Sequence, residues 1–261
     1  MYLRILKLFL ISYCLICSSL SADNLNKTKA SLSFDSNYLV LNNGSELRLN
    51  GYDSNRESEK ISSIIAFHHN VLTRVFGFLP KIKININILN RKNYFLKTNA
   101  PYWSNALYFD DSIFIPRPEN GRFEEKNYRV IKHEYTHAVI HELSGENCPG
   151  WLDEGLAQYL EGEEHPKIKI LLKSWLRNNH PISLKNLETG FTGFDQELVP
   201  IAYSQSYIVT KFLIDQFGIN NLKKYLKDIK NTKDYKQSFV NVYKIKFEIF
   251  EKRSKKFLRS F

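Results

Sequence analysis

His133-Glu134-Tyr135-Thr136-His137 constrains this chain more than any other stretch. On an α-helix, residues four apart project from one face, one turn above each other. Two imidazoles so placed can share one Zn²⁺, with each nitrogen at about 2.0–2.1 Å from it. Glu134 stands beside the first histidine, within reach of the position where a water would be bound. A carboxylate there is a general base for that water. The motif therefore asks three things of the remaining chain: a helix beneath it, a third ligand and an open fourth position.

The helix is legible. Tyr128, Ile131, Tyr135, Ala138, Val139 and Leu143 recur at three- and four-residue steps and make one buried stripe. Glu124 and Glu125 fall near its start, where acids suit the helix dipole. Gly145, Pro149 and Gly150 stop it. His133 and His137 lie off the stripe, so they can face a cleft while the stripe anchors the helix. The plain alternative is a pair of surface or core histidines.

A second helical pattern opens at Trp151 and runs to about Glu161. The turn between the two is short enough to fold one helix against the other, which would bring Glu154 to the histidines. A ligand six residues after His137, on a chain turned by a glycine three after it, is the competing pattern. Those positions hold Leu143 and Ile140, so that pattern is absent. His141 is a further turn along and reads as a packing or hydrogen-bonding residue.

His133-Glu134-Tyr135-Thr136-His137 followed by Trp151-Leu152-Asp153-Glu154-Gly155-Leu156-Ala157 resembles a gluzincin zinc metallopeptidase of the peptidase MA-like type. Ala202-Tyr203-Ser204-Gln205-Ser206-Tyr207, leading into Lys211 to Gly218, is also similar to that family. The resemblance runs from about residue 60 to 258 and is strongest from His133 to Glu161. It implies one Zn²⁺ on His133, His137 and Glu154, with Glu134 as the base. It implies one more hydrogen-bond donor for the oxyanion, a tyrosine or a histidine, with Tyr203 the first choice, Tyr207 the second, and His165 and His180 behind them. Core packing with a satisfied hydroxyl is the bland reading of either tyrosine. Asp153 and Gln158 stand where partners of the histidines belong.

In gluzincins the strand just before the active-site helix lines the cleft, and an extended substrate adds to it through main-chain hydrogen bonds. Ser112, Ile113, Phe114 and Ile115 would play that part, with ordinary sheet filling as the alternative. The Gly-x-Met-Glu-Asn segment with which related aminopeptidases hold a free amino terminus is missing. Asn105-Ala106-Leu107-Tyr108 stands near its place, so aminopeptidase specificity does not carry over.

The first 22 residues stand apart. Arg4 and Lys7 precede the apolar run Leu8 to Cys17, and small residues follow at Ser18, Ser19, Ser21 and Ala22. This is the order of a secretory signal peptide, 1–22, which implies export to a periplasmic or secreted location. An uncleaved membrane anchor is the alternative, and the run is short for a span. Cleavage would remove Cys14 and Cys17, leaving Cys148 and no internal disulfide. Cys148 reads as a small buried residue in the turn rather than a zinc ligand.

With 43% hydrophobic residues the chain can bury a core, which excludes global disorder. The formal charge is +10, or +8 without Arg4 and Lys7. The charge is spread through lysine-rich helices, including Lys223, Lys224, Lys227, Lys230, Lys233 and Lys236, rather than set in an aromatic-interleaved groove. Nucleic-acid binding is therefore not expected. A solvated face is the ordinary reading of those lysines, and weak contact with an anionic envelope surface is the other.

Along the chain, Asn37 to Leu41 and Glu46 to Leu49 read as strands joined by a turn at Asn42-Asn43-Gly44-Ser45. Ser58 to Phe78 is amphipathic and carries His68 and His69, read as surface or core residues. Lys81 to Leu89 alternates strictly, the mark of a half-buried strand. Asn90 to Leu96 is a short helix or loop. Ala106 to Phe109 and Ser112 to Pro116 form a hairpin whose second strand is expected at an edge.

Beyond Glu161 the pattern is helical over Ile168 to Leu176, Ser183 to Leu187, Ala202 to Phe217, Ile219 to Ile229, Tyr235 to Val242 and Phe247 to Leu258. Thr189 to Pro200 reads as a loop that could border the substrate site. The expectation is one α+β, zincin-like domain over 23–261. A small N-terminal lobe with a mixed sheet and the motif helix (23–145) faces a helical C-terminal lobe (146–261).

The function expected is zinc-dependent hydrolysis of peptide or protein substrates. Two other readings stand beside it: a zinc hydrolase of a non-peptide amide or ester, and a non-catalytic envelope-binding protein with a structural zinc site. A base beside an open position argues against the last.

Overall fold

The alternating stretch that ends at Leu89 is the centre of a five-stranded sheet. β1 (Tyr38–Val40), β2 (Glu46–Asn50), β3 (Lys83–Leu89), β4 (Leu107–Phe109) and β5 (Ser112–Pro116) lie in the order β1-β2-β3-β5-β4. The pairs β2/β3 and β3/β5 are parallel, while the outer pairs β1/β2 and β4/β5 are antiparallel. Leu47, Leu49, Ile84, Ile86, Ile88, Ile113 and Ile115 are buried, and Arg48, Lys83 and Asn85 between them are exposed. The period of two thus gives β2 and β3 an apolar and a polar face, while β5 is buried on both. A computed structural model describes residues 37–162, 166–191 and 193–260. The expected leader and His165 lie outside them.

The edge position expected for Ser112–Ile115 is overturned. β5 is hydrogen-bonded to β3 on one side and β4 on the other, so the free edge belongs to Leu107–Phe109. The cause is the parallel pairing of β5 with β3, which leaves the strand folded back on β5 outside. Asp110 and Asp111 both take positive φ (49° and 50°). That is the two-residue reversal that folds β4 back antiparallel on β5.

The parallel pairs need crossovers. Helix α1 (Asn55–Phe76) connects β2 to β3, and α2 (Arg91–Thr98) lies between β3 and the β4–β5 hairpin. Ser54 caps α1 by accepting from the Glu57 N–H, and Gly77 closes it at φ 84°. The motif helix α3 (Glu125–Ser144) begins where Asn127 Oδ1 accepts from the Glu124 N–H at 2.9 Å, and ends at Gly145 with φ 61°. It packs on α1 and lies along β4 and β5.

Helix α4 (Gly150–Leu160) follows at once and packs against α3. Its closest neighbour is α6 (Val199–Phe217), with α5 (Pro166–Leu176) on α6's flank. A Cβ on Gly155 would land on Thr210 Oγ1 and the Ser206 carbonyl oxygen, so only glycine lets α4 and α6 lie this close. α7 (Ile219–Thr232), α8 (Tyr235–Tyr243) and α9 (Phe247–Arg259) complete the fold.

Trp151, fully buried in the first turn of α4, packs on Phe247 and Phe250 of α9 with ring centroids 6.2 and 6.1 Å away. Phe239 of α8 joins that cluster, 5.0 Å from Phe250. Among the described residues no helix is long and apolar enough to cross a membrane.

Candidate active site

The helix face carrying His133 and His137 meets the first turn of α4. Nε2 of His133 lies 3.3 Å from Glu154 Oε2, and Nε2 of His137 lies 3.5 Å from the same oxygen. One ligand atom from each of the three residues falls within 4.8 Å of the others. The imidazoles stand edge to face, with centroids 4.8 Å apart. Two nitrogens and a carboxylate oxygen turned to one point form a donor set suited to Zn²⁺.

The other nitrogen of each ring is held from behind by an acid. Glu161 Oε2 is 3.1 Å from Nδ1 of His133, and Arg129 Nε is 3.5 Å from the second oxygen of Glu161. Asp153 Oδ1 is 3.0 Å from Nδ1 of His137, close but out of line for a hydrogen bond. Carboxylates behind metal-binding imidazoles fix ring orientation and leave the far nitrogen free for the metal. Asp153 stands where position along the chain predicts. Gln158 does not reach a histidine; its amide donates to the carbonyls of Glu154 and Tyr203, tying α4 to α6. Glu161 is a partner that sequence reasoning missed; its place two helical turns after Glu154 is the signal that could have found it.

The acids demand positive charge. Burial by itself would push His133 down, but the carboxylates of Glu154 and Glu161 outweigh it and hold it at about 9. His137 is likewise raised, with Asp153 and Glu154 overcoming burial. Burial opposes ionisation of Glu154, yet the two histidines together bring it to about 2. The fit to a divalent metal rests on the donor set itself: two imidazole nitrogens and a carboxylate oxygen turned to one point, with further carboxylates behind the rings.

Glu134 is buried beside this point. Burial raises its carboxyl above the ordinary value, against the pull of His137 and His133. Its Oε2 accepts from the Tyr108 N–H of β4 at 2.7 Å. The middle residues of the motif face the other way, toward α1. His68 Nε2 is 2.8 Å from Thr136 Oγ1, and His69 Nδ1 is 2.8 Å from the Tyr135 hydroxyl. Both α1 histidines are buried, so they are core residues that back the motif helix. His141 lies 3.4 Å from the Tyr108 hydroxyl.

Tyr203 is in the first turns of α6, its ring edge-on to Phe191 at 5.0 Å. Burial first, and then Glu154 beside its hydroxyl, raise its pKa. The structure thus brings Tyr203 to the three-donor cluster. Tyr207 instead stacks near Tyr159 at 6.4 Å, and His180 contacts Arg259 Nη2 at 3.0 Å. Ser112–Ile115 form the inner strand described above.

A sequence model described as the Peptidase MA superfamily matches residues 101–260, which hold the motif helix, α4 and Tyr203. The chain belongs to the peptidase MA superfamily. This superfamily member is similar to a solved M1 zinc metallopeptidase from Deinococcus radiodurans, at 16% identity and a TM-score of 0.48, over 85% of this chain and 49% of that one. It is also similar to an aminopeptidase N family protein from Idiomarina loihiensis, at 13% identity and a TM-score of 0.44, over 74% of this chain and 40% of that one. The chain spans about half the length of these proteins or less. No curated protein matches it.

Proposed function

We propose that this superfamily member is a zinc-dependent peptidase, with its cleft between the sheet-bearing half through 145 and the helical half from 146. The observation that carries this reading is the convergence of His133 Nε2, His137 Nε2 and Glu154 Oε2 beside a buried carboxylate, Glu134, that is not one of the three donors.

His133, His137 and Glu154 would hold one Zn²⁺. Bound there, the ion supplies polarisation of the substrate carbonyl and acidifies a water. Glu134 removes the proton from the attacking water and returns it to the leaving amine. Its raised pKa, caused by burial, suits a group that must take up a proton and give it back. Tyr203 keeps its proton, and its hydroxyl donates to the oxyanion as negative charge develops. Asp153 and Glu161 orient the imidazoles. An extended peptide would meet the outer edge of β4, the strand that touches the base.

Glu134→Gln is the test. The variant is expected to retain one zinc per chain and to lose turnover by about 10²–10⁴-fold, the usual worth of a general base. Zinc loss instead would make Glu134 structural. A peptide-library digest alongside simple esters and non-peptide amides, each with and without chelator, separates a peptidase from a hydrolase of other bonds. Absence of any chelator-sensitive cleavage would leave only a binding protein.

A further inference from the structure

The base is held by something the motif does not encode. Asp110 and Asp111 form the two-residue turn between β4 and β5, and the register pairs Phe109 with Ser112, Tyr108 with Ile113 and Leu107 with Phe114. In a hairpin closed by two residues, the flanking pair exchanges ladder hydrogen bonds and the next pair does not. The main-chain N–H of Tyr108 therefore points out of the sheet, at the free edge. There it donates to Glu134 Oε2 at 2.7 Å. Oε1 of Glu134 has no hydrogen-bond partner among the described residues.

We propose that the main-chain amide of Tyr108 is the positioning group for the general base. It pins one carboxylate oxygen of Glu134 and leaves the other free to exchange the proton. The turn residues Asp110 and Asp111 act at one remove, because they set the register that turns this amide outward. A one-residue slip would direct it into the ladder instead. The inference rests on reading Glu134 as the base, and it is tested in two ways, of which one does not involve catalysis.

The first test is amide hydrogen exchange in the metal-free protein. An outward amide on a free edge has only Glu134 to protect it. In Glu134→Ala, exchange at Tyr108 is expected to accelerate about tenfold or more, the factor set by a hydrogen bond to a charged acceptor, while the ladder-paired Phe109 amide stays slow. Unchanged exchange at Tyr108 would overturn the proposal.

The second test compares Tyr108→Pro with Tyr108→Ala. Both remove the phenol, but only proline removes the N–H, and an edge strand tolerates proline where the N–H faces outward. The proline variant is expected to show a kcat at least about tenfold below the alanine variant, with zinc content matched. Equal kcat in the two variants would also overturn the proposal. If the proline variant fails to fold, the exchange measurement decides. Turnover surviving in Glu134→Gln sinks the reading of Glu134 as base and leaves the exchange result standing, so the two failures are distinguishable.

Discussion

Each imidazole of the three-donor cluster has an acid behind it, and the acid behind His133 is Glu161, buried and shared with Arg129. Glu161→Gln keeps the shape and removes the charge. It is expected to weaken zinc affinity about 10–100-fold, as loss of such a partner does, and competition with a chromophoric chelator measures it. Affinity equal to wild type would mean that Arg129 spends the charge of Glu161 and His133 needs no orienting partner. The five motif letters could not disclose this residue. Glu161 is 28 positions after His133, and only the fold of α4 against α3 brings them together. Glu154 was legible because the second helical pattern and a short turn place it, and Tyr203 only through resemblance to a family.

Among elements, the contact of α4 with α6 matters most, since one carries Glu154 and the other Tyr203. Gly155→Ala would drive a methyl into Thr210 and the Ser206 carbonyl. The helices must part, at a cost of about 1–3 kcal/mol, and Glu154 moves with them. Urea unfolding should show the loss and a zinc titration should show weaker binding in the same variant. A stability cost with unchanged zinc affinity would mean that Glu154 adjusts independently of its helix. Both helices were readable from their three- and four-residue spacing. α6 starts at Val199, with Pro200 in its first turn, three residues before the apolar pattern marks it at Ala202. The strand order was not readable. β4 has three residues, too few for an alternation, and which strand of the hairpin takes the edge depends on which one pairs with β3, a long-range contact that local spacing does not encode.

For the molecule as a whole, the buried histidines of α1 make one separable contribution to acid sensitivity. Burial, with Lys132, His69 and His133 adding to it, pushes His68 down to about 3; burial lowers His69 as well. The unfolded chain takes up a proton at His68 near pH 6.5, and the folded chain refuses it until about pH 3. The unfolded state thus binds more protons in this window, and stability falls as pH falls, by about 1.4 kcal/mol per pH unit for one such group. His68→Asn removes that dependence. In denaturant series on chelated protein, the stability difference between wild type and variant is expected to change with that slope below pH 6.5 and to be flat above it. A flat difference throughout would place a charged His68 in the fold.

The seating of Trp151 on Phe247 and Phe250 bears on how the site comes into being. The helix that carries the last donor rests on α3 and α6, and its first turn also seats on rings that lie nearly a hundred residues further along the chain. A nascent chain that has not yet produced Phe247 and Phe250 carries both imidazoles and Glu154 but lacks the rings under Trp151. On the proposed reading, the donor set therefore gains its full support only once the last helix has been made.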